Sequence, residues 1–256
     1  ALNLGRHTLR FIMAPLVHWP EVMVSYDEYE KVIFSADAFG KFGDLDSKDN
    51  WTDEARRYYI GIVGKYGVQV QNLLKKLSSL EIDKILPLHG QILENDLNKY
   101  INLYDIWSSY KPEKRAVMLA YASIYGHTAK AAKVVADKLR KAGEEVILYD
   151  LIRSDRSECV AQAFACDRLV LASVTYNAEL FPAMREFLDC LTERGFKNRT
   201  VAFIENGTWA PVSAKLMKEK LSACKNLNFI EETVKVRAAL NADNDAEIEN
   251  LVKALL

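Results

Sequence analysis

Apolar runs alternate with helical patterns through the second half of the chain. Five short runs rich in aliphatic and aromatic residues predict strands, and each is followed by apolar positions three and four residues apart, which predict a helix. The predicted strands cover residues 116–121, 145–149, 168–173, 200–205 and 229–236. The predicted helices cover residues 128–142, 157–165, 182–193, 212–223 and 243–256. This strict alternation predicts an α/β domain with a doubly wound five-stranded parallel sheet.

The first 110 residues follow a different pattern, with few strands and long helical stretches. The predicted strands cover residues 8–12, 22–26 and 31–35, the helices about 52–80 and 91–108, and a short apolar run at 85–88 separates the helices. A polar, proline-containing link at 108–114 predicts a domain boundary. We therefore expect two domains, residues 1–110 and 115–256, of which the first is only part of an α/β domain.

Composition limits the classes of function. The chain has 256 residues, half of them apolar, which is enough for two modest domain cores. Its 34 basic and 35 acidic residues are interspersed, so we expect neither nucleic acid nor a membrane as a partner. The four cysteines lack C-x-x-C spacing and fit reduced thiols, and the apolar run near the start is too short to span a bilayer. We expect a cytoplasmic protein.

A candidate phosphate site follows the first strand of the second region. The hydroxyls of Ser123 and Thr128, successive backbone N–H groups and a helix N-terminus can converge there on a phosphate monoester, without any lysine or arginine. Gly126 permits close approach of the backbone. An ordinary turn with Thr128 as helix N-cap is the alternative, and these residues alone leave both open. The candidate residues are Ser123, Ile124, Tyr125, Gly126, His127 and Thr128.

Two further loops follow the third and fourth strands and carry aromatic side chains. Tyr176 and Trp209 offer flat faces, Asn177 offers an amide for the edge of a ring, and Gly207 permits tight approach. Either loop alone could be a surface turn, but three loops at corresponding strand ends favour a cofactor site. The candidate residues are Thr175, Tyr176, Asn177, Ala178, Asn206, Gly207, Thr208, Trp209 and Ala210.

The class of cofactor is narrowed by the nucleotide-binding motifs that the sequence contains and by those that it lacks. No G-x-G-x-x-G sequence follows a predicted strand and no Walker lysine is present, which disfavours dinucleotide and P-loop sites. The hydroxyl-rich loop and the two aromatic loops on a five-stranded sheet resemble flavodoxin over roughly residues 115–256. That resemblance implies a flavodoxin-like domain with FMN as its ligand.

Three residues of the first region follow apolar runs and carry groups that suit a metal. They are His18 in Val-His-Trp-Pro, Asp37 in Ser-Ala-Asp-Ala-Phe-Gly, and His89 in Leu-His-Gly. Imidazole and carboxylate suit iron, zinc or manganese, and a carboxylate can bridge two ions. Each residue alone also has an ordinary interpretation, since His18 could pack beside Trp19 and the other two could be turn residues.

The three segments and the phosphate loop occur in an order that resembles the flavodiiron proteins, which join a metallo-β-lactamase-like diiron domain to an FMN domain. The resemblance implies that His18, Asp37 and His89 are metal ligands, with Asp37 bridging two irons. It also implies that electrons pass from FMN to the diiron centre, which reduces dioxygen to water or nitric oxide to nitrous oxide. An electron-donor protein of the rubredoxin or flavin reductase type and a homodimer are further implications.

The chain departs from this family in its metal ligands. The family's His-x-Glu-x-Asp-His motif, expected before His18, is absent, so each iron would have two protein ligands. We therefore expect a partial metallo-β-lactamase-like domain without its N-terminal half, and a diiron centre that this chain cannot complete alone. Its uncovered sheet face should be buried against a second copy or a separate N-terminal half. The alternatives are a flavodoxin-like FMN carrier and a non-enzymatic remnant.

Overall fold

The computed structural model describes residues 1–46 and 48–256. The chain forms two compact units, Ala1–Lys111 and Pro112–Leu256, which we call the first unit and the second unit.

The first unit is built on one five-stranded sheet in the order β1-β2-β3-β4-β5. Its strands are β1 Leu2–Asn3, β2 Thr8–Met13, β3 Met23–Asp27, β4 Val32–Ala36 and β5 Lys84–Pro87. Its α-helices are α1 Trp51–Tyr58, α2 Gly67–Leu77 and α3 Leu97–Ser108. The pairs β1/β2, β2/β3 and β3/β4 are antiparallel, and β5 is parallel to β4.

The helical pattern predicted at about 52–80 is not a single helix. Between α1 and α2 the chain forms a π-helical turn, Tyr59–Val63, and a 3-10 turn, Gly64–Tyr66. Glycines favour such irregularity because they weaken a regular helix. Gly67, where α2 begins, lies so close to the end of α3 that an added Cβ would come within 2.3 Å of the Ser108 carbonyl oxygen. The apolar periodicity runs through these turns, so it did not reveal them.

The second predicted helix of this region, 91–108, begins later than predicted, at Leu97. Before it, Leu93 is fully buried and forms an antiparallel bridge with Ile85. An apolar residue that pairs with a sheet edge has the same pattern as one on a helix face, which explains the error.

The two faces of the first sheet are unequally covered. One face is buried and carries Val24, Tyr26, Ile33, Ser35 and Ile85. The strand register places apolar side chains that are 45% to 48% exposed on the other face: Phe11, Met13, Met23 and Phe34. We call these four side chains the open face. Contiguous apolar surface of this kind is uncommon unless another molecule covers it.

The second unit is a doubly wound sheet with one short additional strand. Its strands are β6 Lys114–Ala122, β7 Val146–Asp150, β8 Cys166–Tyr176, β9 Glu179–Leu180, β10 Arg199–Asn206 and β11 Leu227–Val236. Its helices are α4 His127–Lys141, α5 Arg156–Ala165, α6 Pro182–Glu193, α7 Ser213–Leu221 and α8 Asp243–Leu255. Five parallel strands follow the order β11-β10-β8-β6-β7, which confirms the predicted flavodoxin-like fold.

The second sheet is covered on both faces. Leu119 of β6 packs with the buried stripe of α4, and Met118 on the opposite face is equally buried. The buried stripe of α4 includes Ala132, Val135, Ala136 and Leu139, whose spacing is the apolar periodicity that predicted the helix over 128–142. Continuous apolar strands of this kind are typical of parallel sheets that lie between two layers of helices.

The third predicted strand of the second unit is longer than predicted. β8 continues to Tyr176, and Asn177 and Ala178 then turn the chain into β9, with φ values of 53° and 58°. Two residues with positive φ match a type I′ turn, the favoured connection of a tight hairpin. The segment predicted as a loop is therefore a strand end with a two-residue turn.

Candidate functional site

A cavity of about 450 Å³ lies at the carboxyl ends of β6, β8 and β10. From β6 the chain crosses to β7 at one edge of the sheet, and from β8 it crosses to β10 on the other side. This reversal is the topological switch point, where open α/β sheets bind their ligands. The position of the cavity is thus a consequence of the strand order.

Most of the predicted cofactor residues line this cavity. They are Ser123, Ile124, Tyr125, His127, Thr128, Thr175, Tyr176, Asn177, Asn206, Gly207 and Thr208. Gly126, Ala178, Trp209 and Ala210 do not line it. Val174, which directly precedes the predicted loop, also lines it, and Ala238 lines it without having been predicted. Ala238 lies in the loop after β11, so its position at the end of the last parallel strand was the available signal.

The phosphate loop enters α4 through a glycine. Gly126 has φ 87°, its N–H donates to Ser123 Oγ at 3.1 Å, and the helix begins at His127. Gly126 is the N-cap and no side chain caps the helix, so the proposed N-cap role of Thr128 is not found. The uncapped N–H groups of the first turn therefore have no side-chain partner at the helix start.

Thr128 and Asn206 connect two of the loops. The Thr128 side chain is buried, and its Oγ1 accepts a hydrogen bond from Asn206 Nδ2 at 3.2 Å. The same amide group donates to the Ala238 carbonyl oxygen at 3.2 Å. Asn206 thus joins the phosphate loop to the loop after β11. Because Thr128 Oγ1 accepts this bond, its O–H can still donate to a ligand.

Thr175 connects the end of β8 to the start of α7. Its Oγ1 accepts hydrogen bonds from the Val212 and Ser213 N–H groups at 2.9 and 3.1 Å. Ser213 Oγ in turn donates to the Ser173 carbonyl oxygen at 2.9 Å. The hydroxyl of Thr175 therefore orients the loop, which is a role that its residue type alone did not indicate.

The aromatic side chains of the three loops differ in position. Tyr176 lines the cavity, is 49% exposed and packs edge-on against Phe181. Tyr125 also lines the cavity but is mostly exposed. Trp209 is 98% exposed and lies outside the cavity lining, so its stacking on a ring stays a prediction.

The three predicted metal ligands lie together in the first unit. Asp37 Oδ2 is 3.6 Å from His18 Nε2, and Asp37 Oδ1 is 3.6 Å from His89 Nε2. His18 lies between β2 and β3, Asp37 follows β4, and His89 follows β5. Each histidine therefore approaches a different oxygen of one carboxylate. We call His18, Asp37 and His89 the His–Asp–His cluster.

His89 is oriented by the backbone around it. Its Nδ1 lies 3.0 Å from the Lys41 carbonyl oxygen, which can only accept a hydrogen bond. This contact assigns a proton to Nδ1, so Nε2 is the ring nitrogen that faces Asp37. Gly40 makes the position possible, because a Cβ there would be 2.5 Å from His89 Cε1.

The backbone near the cluster adopts costly conformations. Leu16, Ala36 and Phe39 have φ values of 64°, 52° and 64°. Left-handed backbone costs a residue with a Cβ about 1–2 kcal/mol. Such outliers concentrate at functional sites, so their position beside His18 and Asp37 supports a functional role for the cluster.

Tyr58 covers the cluster and was not predicted as a site residue. Its ring packs edge-on against His89, with centroids 4.5 Å apart. Burial, and secondarily the charge of Asp37, raise the pKa of Tyr58 well above its usual value, so the phenol stays protonated. Its buried hydroxyl has no hydrogen-bond partner among the described residues, so a group bound beside Asp37 would find a donor there.

The donors of the cluster fit iron in type but not in number. In residues 1–46 and 48–256, no three His, Cys, Asp or Glu side chains are arranged to hold one metal ion. Two ions bridged by Asp37 would have two donors each, which is too few for a stable diiron site. The described residues of the cluster therefore offer no more than two donors to each ion.

Comparisons with known proteins agree with this description. The sequence model of the ODP family beta lactamase matches residues 1–90. Over 235 residues the chain is 31% identical to the nitric oxide reductase of Moorella thermoacetica, covering 88% of this chain and 58% of that protein. It is 32% identical over 212 residues to the coenzyme F420H2 oxidase of Methanothermobacter marburgensis, covering 78% and 52%.

Solved structures extend the match to both units. A variant of the flavo di-iron protein of Thermotoga maritima is 26% identical with a TM-score of 0.85, covering 99% of this chain and 65% of that chain. A β-lactamase-like unit followed by a flavodoxin-like unit defines a class of two-domain flavoproteins. These matches confirm the predicted resemblance to the flavodiiron proteins. It spans a little over half the length of the curated relatives compared above.

Proposed function

We propose that the second unit binds FMN and is the electron-transferring part of a flavodiiron-type protein. The cavity at the switch point carries this proposal, because hydroxyl, amide and aromatic groups of three loops meet there. Bound FMN would supply reversible one- and two-electron chemistry. The protein would supply binding, orientation and electrostatics.

The chain's own groups divide between the two ends of the ligand. The N–H groups of the first turn of α4, with the Ser123 and Thr128 hydroxyls, would bind the phosphate. Tyr176 and Asn177 would contact the ring and its polar edge. Asn206 and Thr175 would keep the loops in place through the hydrogen bonds they form within the unit.

Titration of the flavin-free protein with FMN tests this proposal. We expect saturable quenching of flavin fluorescence at one FMN per chain. Riboflavin, which has the ring without the phosphate, should bind more weakly, because the phosphate loop then has no anion to contact. Equal affinity for the two flavins would exclude the loop as a phosphate site, and no binding of either would overturn the proposal.

We further propose that His18, Asp37 and His89 are half of the diiron site at which this family reduces dioxygen or nitric oxide. The geometry of the cluster and the orphaned Tyr58 hydroxyl support it. The two curated relatives are named a nitric oxide reductase and a coenzyme F420H2 oxidase, so both reactions remain candidates. The missing donors would have to come from further polypeptide.

The open face supports a partner that supplies those donors. Four apolar side chains on one sheet face favour burial against a second copy or a separate N-terminal half. Light scattering tests this, and a monodisperse monomer with an exposed open face would contradict it. An electron-donor protein of the rubredoxin or flavin reductase type would supply electrons to the flavin.

An FMN carrier without metal chemistry is the second candidate, favoured by the two donors available to each ion. Metal analysis distinguishes the two functions. About two irons per chain and oxygen consumption by the reduced flavoprotein would favour the reductase. FMN without metal would favour the carrier, and neither FMN nor metal would favour a non-enzymatic remnant. Substitution of Asp37 by Ala should lower the metal content and leave FMN binding unchanged.

The cellular location stays a proposal as well. In the part of the chain that the structure describes, no helix is both long and apolar enough to cross a bilayer. We propose a cytoplasmic location because no disulfide bond joins any of the four cysteines, all of which lie in the described part of the chain, and this fits a reducing compartment.

A further inference from the structure

We propose that His127 makes the binding of a phosphate monoester in this cavity dependent on pH. The inference rests on the proposed FMN site and goes beyond it, because it assigns a charge switch to one residue of the phosphate loop. The observation that supports the inference is the position of His127, which is the first residue of α4 and lines the cavity.

Among the lining residues that the structure describes, His127 is the one whose side chain can become a cation. The other described lining residues are apolar or carry hydroxyl, phenol or amide groups, and none of them is Asp, Glu, Lys or Arg. A phosphate bound at the start of α4 would otherwise meet only neutral dipoles. One imidazole therefore decides whether the cavity lining has a positive charge or none.

The direction of the effect follows from the charges. Imidazole is the side chain that changes charge between about pH 5 and 8, whereas a phosphate monoester loses its second proton near about pH 6. A cationic imidazole attracts a phosphate dianion more strongly than a neutral imidazole does, so affinity should fall as pH rises through the range in which imidazoles lose their proton. Because His127 is exposed, solvent screening keeps the effect modest.

Other charged groups near the loop do not produce the same signal. Lys130 lies one turn further along α4, and Arg237 adjoins the lining residue Ala238. Ammonium and guanidinium groups keep their charge over this pH range, so they add a constant attraction. The phenols of Tyr125 and Tyr176 line the same cavity, and a phenol cannot become a cation by gaining or losing a proton in this pH range.

The experiment compares two proteins and two ligands at two pH values. Dissociation constants of FMN and riboflavin are measured by fluorescence for the wild-type chain and for His127→Asn at about pH 6.5 and about pH 8. We expect His127→Asn to weaken FMN binding roughly threefold to tenfold at the lower pH and by less than about twofold at the higher one. Riboflavin should bind both proteins equally at both pH values. Added salt should reduce the difference seen with FMN.

The outcomes separate this inference from the proposed function. FMN binding with the same pH dependence in both proteins would overturn the role of His127 and leave the FMN site standing. Failure of both proteins to bind FMN would overturn the proposed function and the inference with it. An equal loss for riboflavin in the variant would mean that His127 supports the loop structurally, which also contradicts the inference.

Discussion

The two units of this chain differ in how completely the faces of their sheets are covered. In the second unit helices cover both faces of a parallel sheet, and one cavity gathers three loops. In the first unit one sheet face is buried and the other exposes four apolar side chains, and the His–Asp–His cluster of that unit has two donors for each of two ions. We propose one cause for both features of the first unit, because a single partner segment that covers the open face could also supply donors to the cluster.

The largest effect is expected in the covered sheet. Leu119→Ala removes a fully buried side chain between β6 and α4 and should destabilise the second unit by about 2–5 kcal/mol. Urea unfolding, with hydrogen exchange resolved for each unit, measures the loss.

The open face provides the matched control. Phe34→Ala should change stability by within about 0.5 kcal/mol, because Phe34 is 48% exposed. A cost as large as that of Leu119→Ala would show that this face is already buried in the isolated protein. A large cost that appears only when a partner is added would instead locate the partner on the open face.

Removal of one hydroxyl should weaken the cofactor site of the second unit. Thr128→Ala should reduce FMN affinity by about 1–3 kcal/mol, because a buried donor to the phosphate and the acceptor for Asn206 are lost together. Thr128→Ser retains the hydroxyl and should bind FMN nearly as the wild type does. Unchanged affinity in the Ala variant, measured by fluorescence titration, would mean that the phosphate lies elsewhere.

A single methyl group should disturb the cluster of the first unit. Gly40→Ala would place a Cβ 2.5 Å from His89 Cε1, so we expect a destabilisation of about 1–3 kcal/mol and a shifted His89 resonance in NMR spectra. Gly61→Ala meets no atom within 4 Å and should be neutral or stabilising by up to about 1 kcal/mol. If the two variants behaved alike, the close approach of His89 to Gly40 would be wrong.

The smallest effect concerns the turn beside the cavity. Ala178→Gly should stabilise the second unit by about 0.5–1 kcal/mol, because Ala178 has φ 58° and glycine accepts this conformation without strain. The same substitution at Ala246, exposed in α8, should instead destabilise by a similar amount. Thermal unfolding distinguishes the two signs.

The parts that were predictable from sequence share a local origin. The buried stripe of α4 and the loop that begins at Ser123 each depend on residues that are close together in the sequence. Periodicity and residue type therefore predict them. The break between α1 and α2 was not predictable in this way, because it depends on the contact of Gly67 with α3. The hairpin after β8 was missed because Asn177-Ala178 is a weaker turn signal than Asn-Gly.

The sequence by itself determined the alternation of strands and helices in the second unit, and with it the edge of the sheet at which the cofactor loops lie. It also determined which residues can bind a metal or a phosphate, since the residue type fixes the donor and acceptor atoms of a side chain. Only the tertiary structure decided that Asp37 offers one oxygen to each histidine, and that Asn206 joins Thr128 to the loop after β11. These contacts join residues far apart in the chain, and their distances are set by the packing of whole elements.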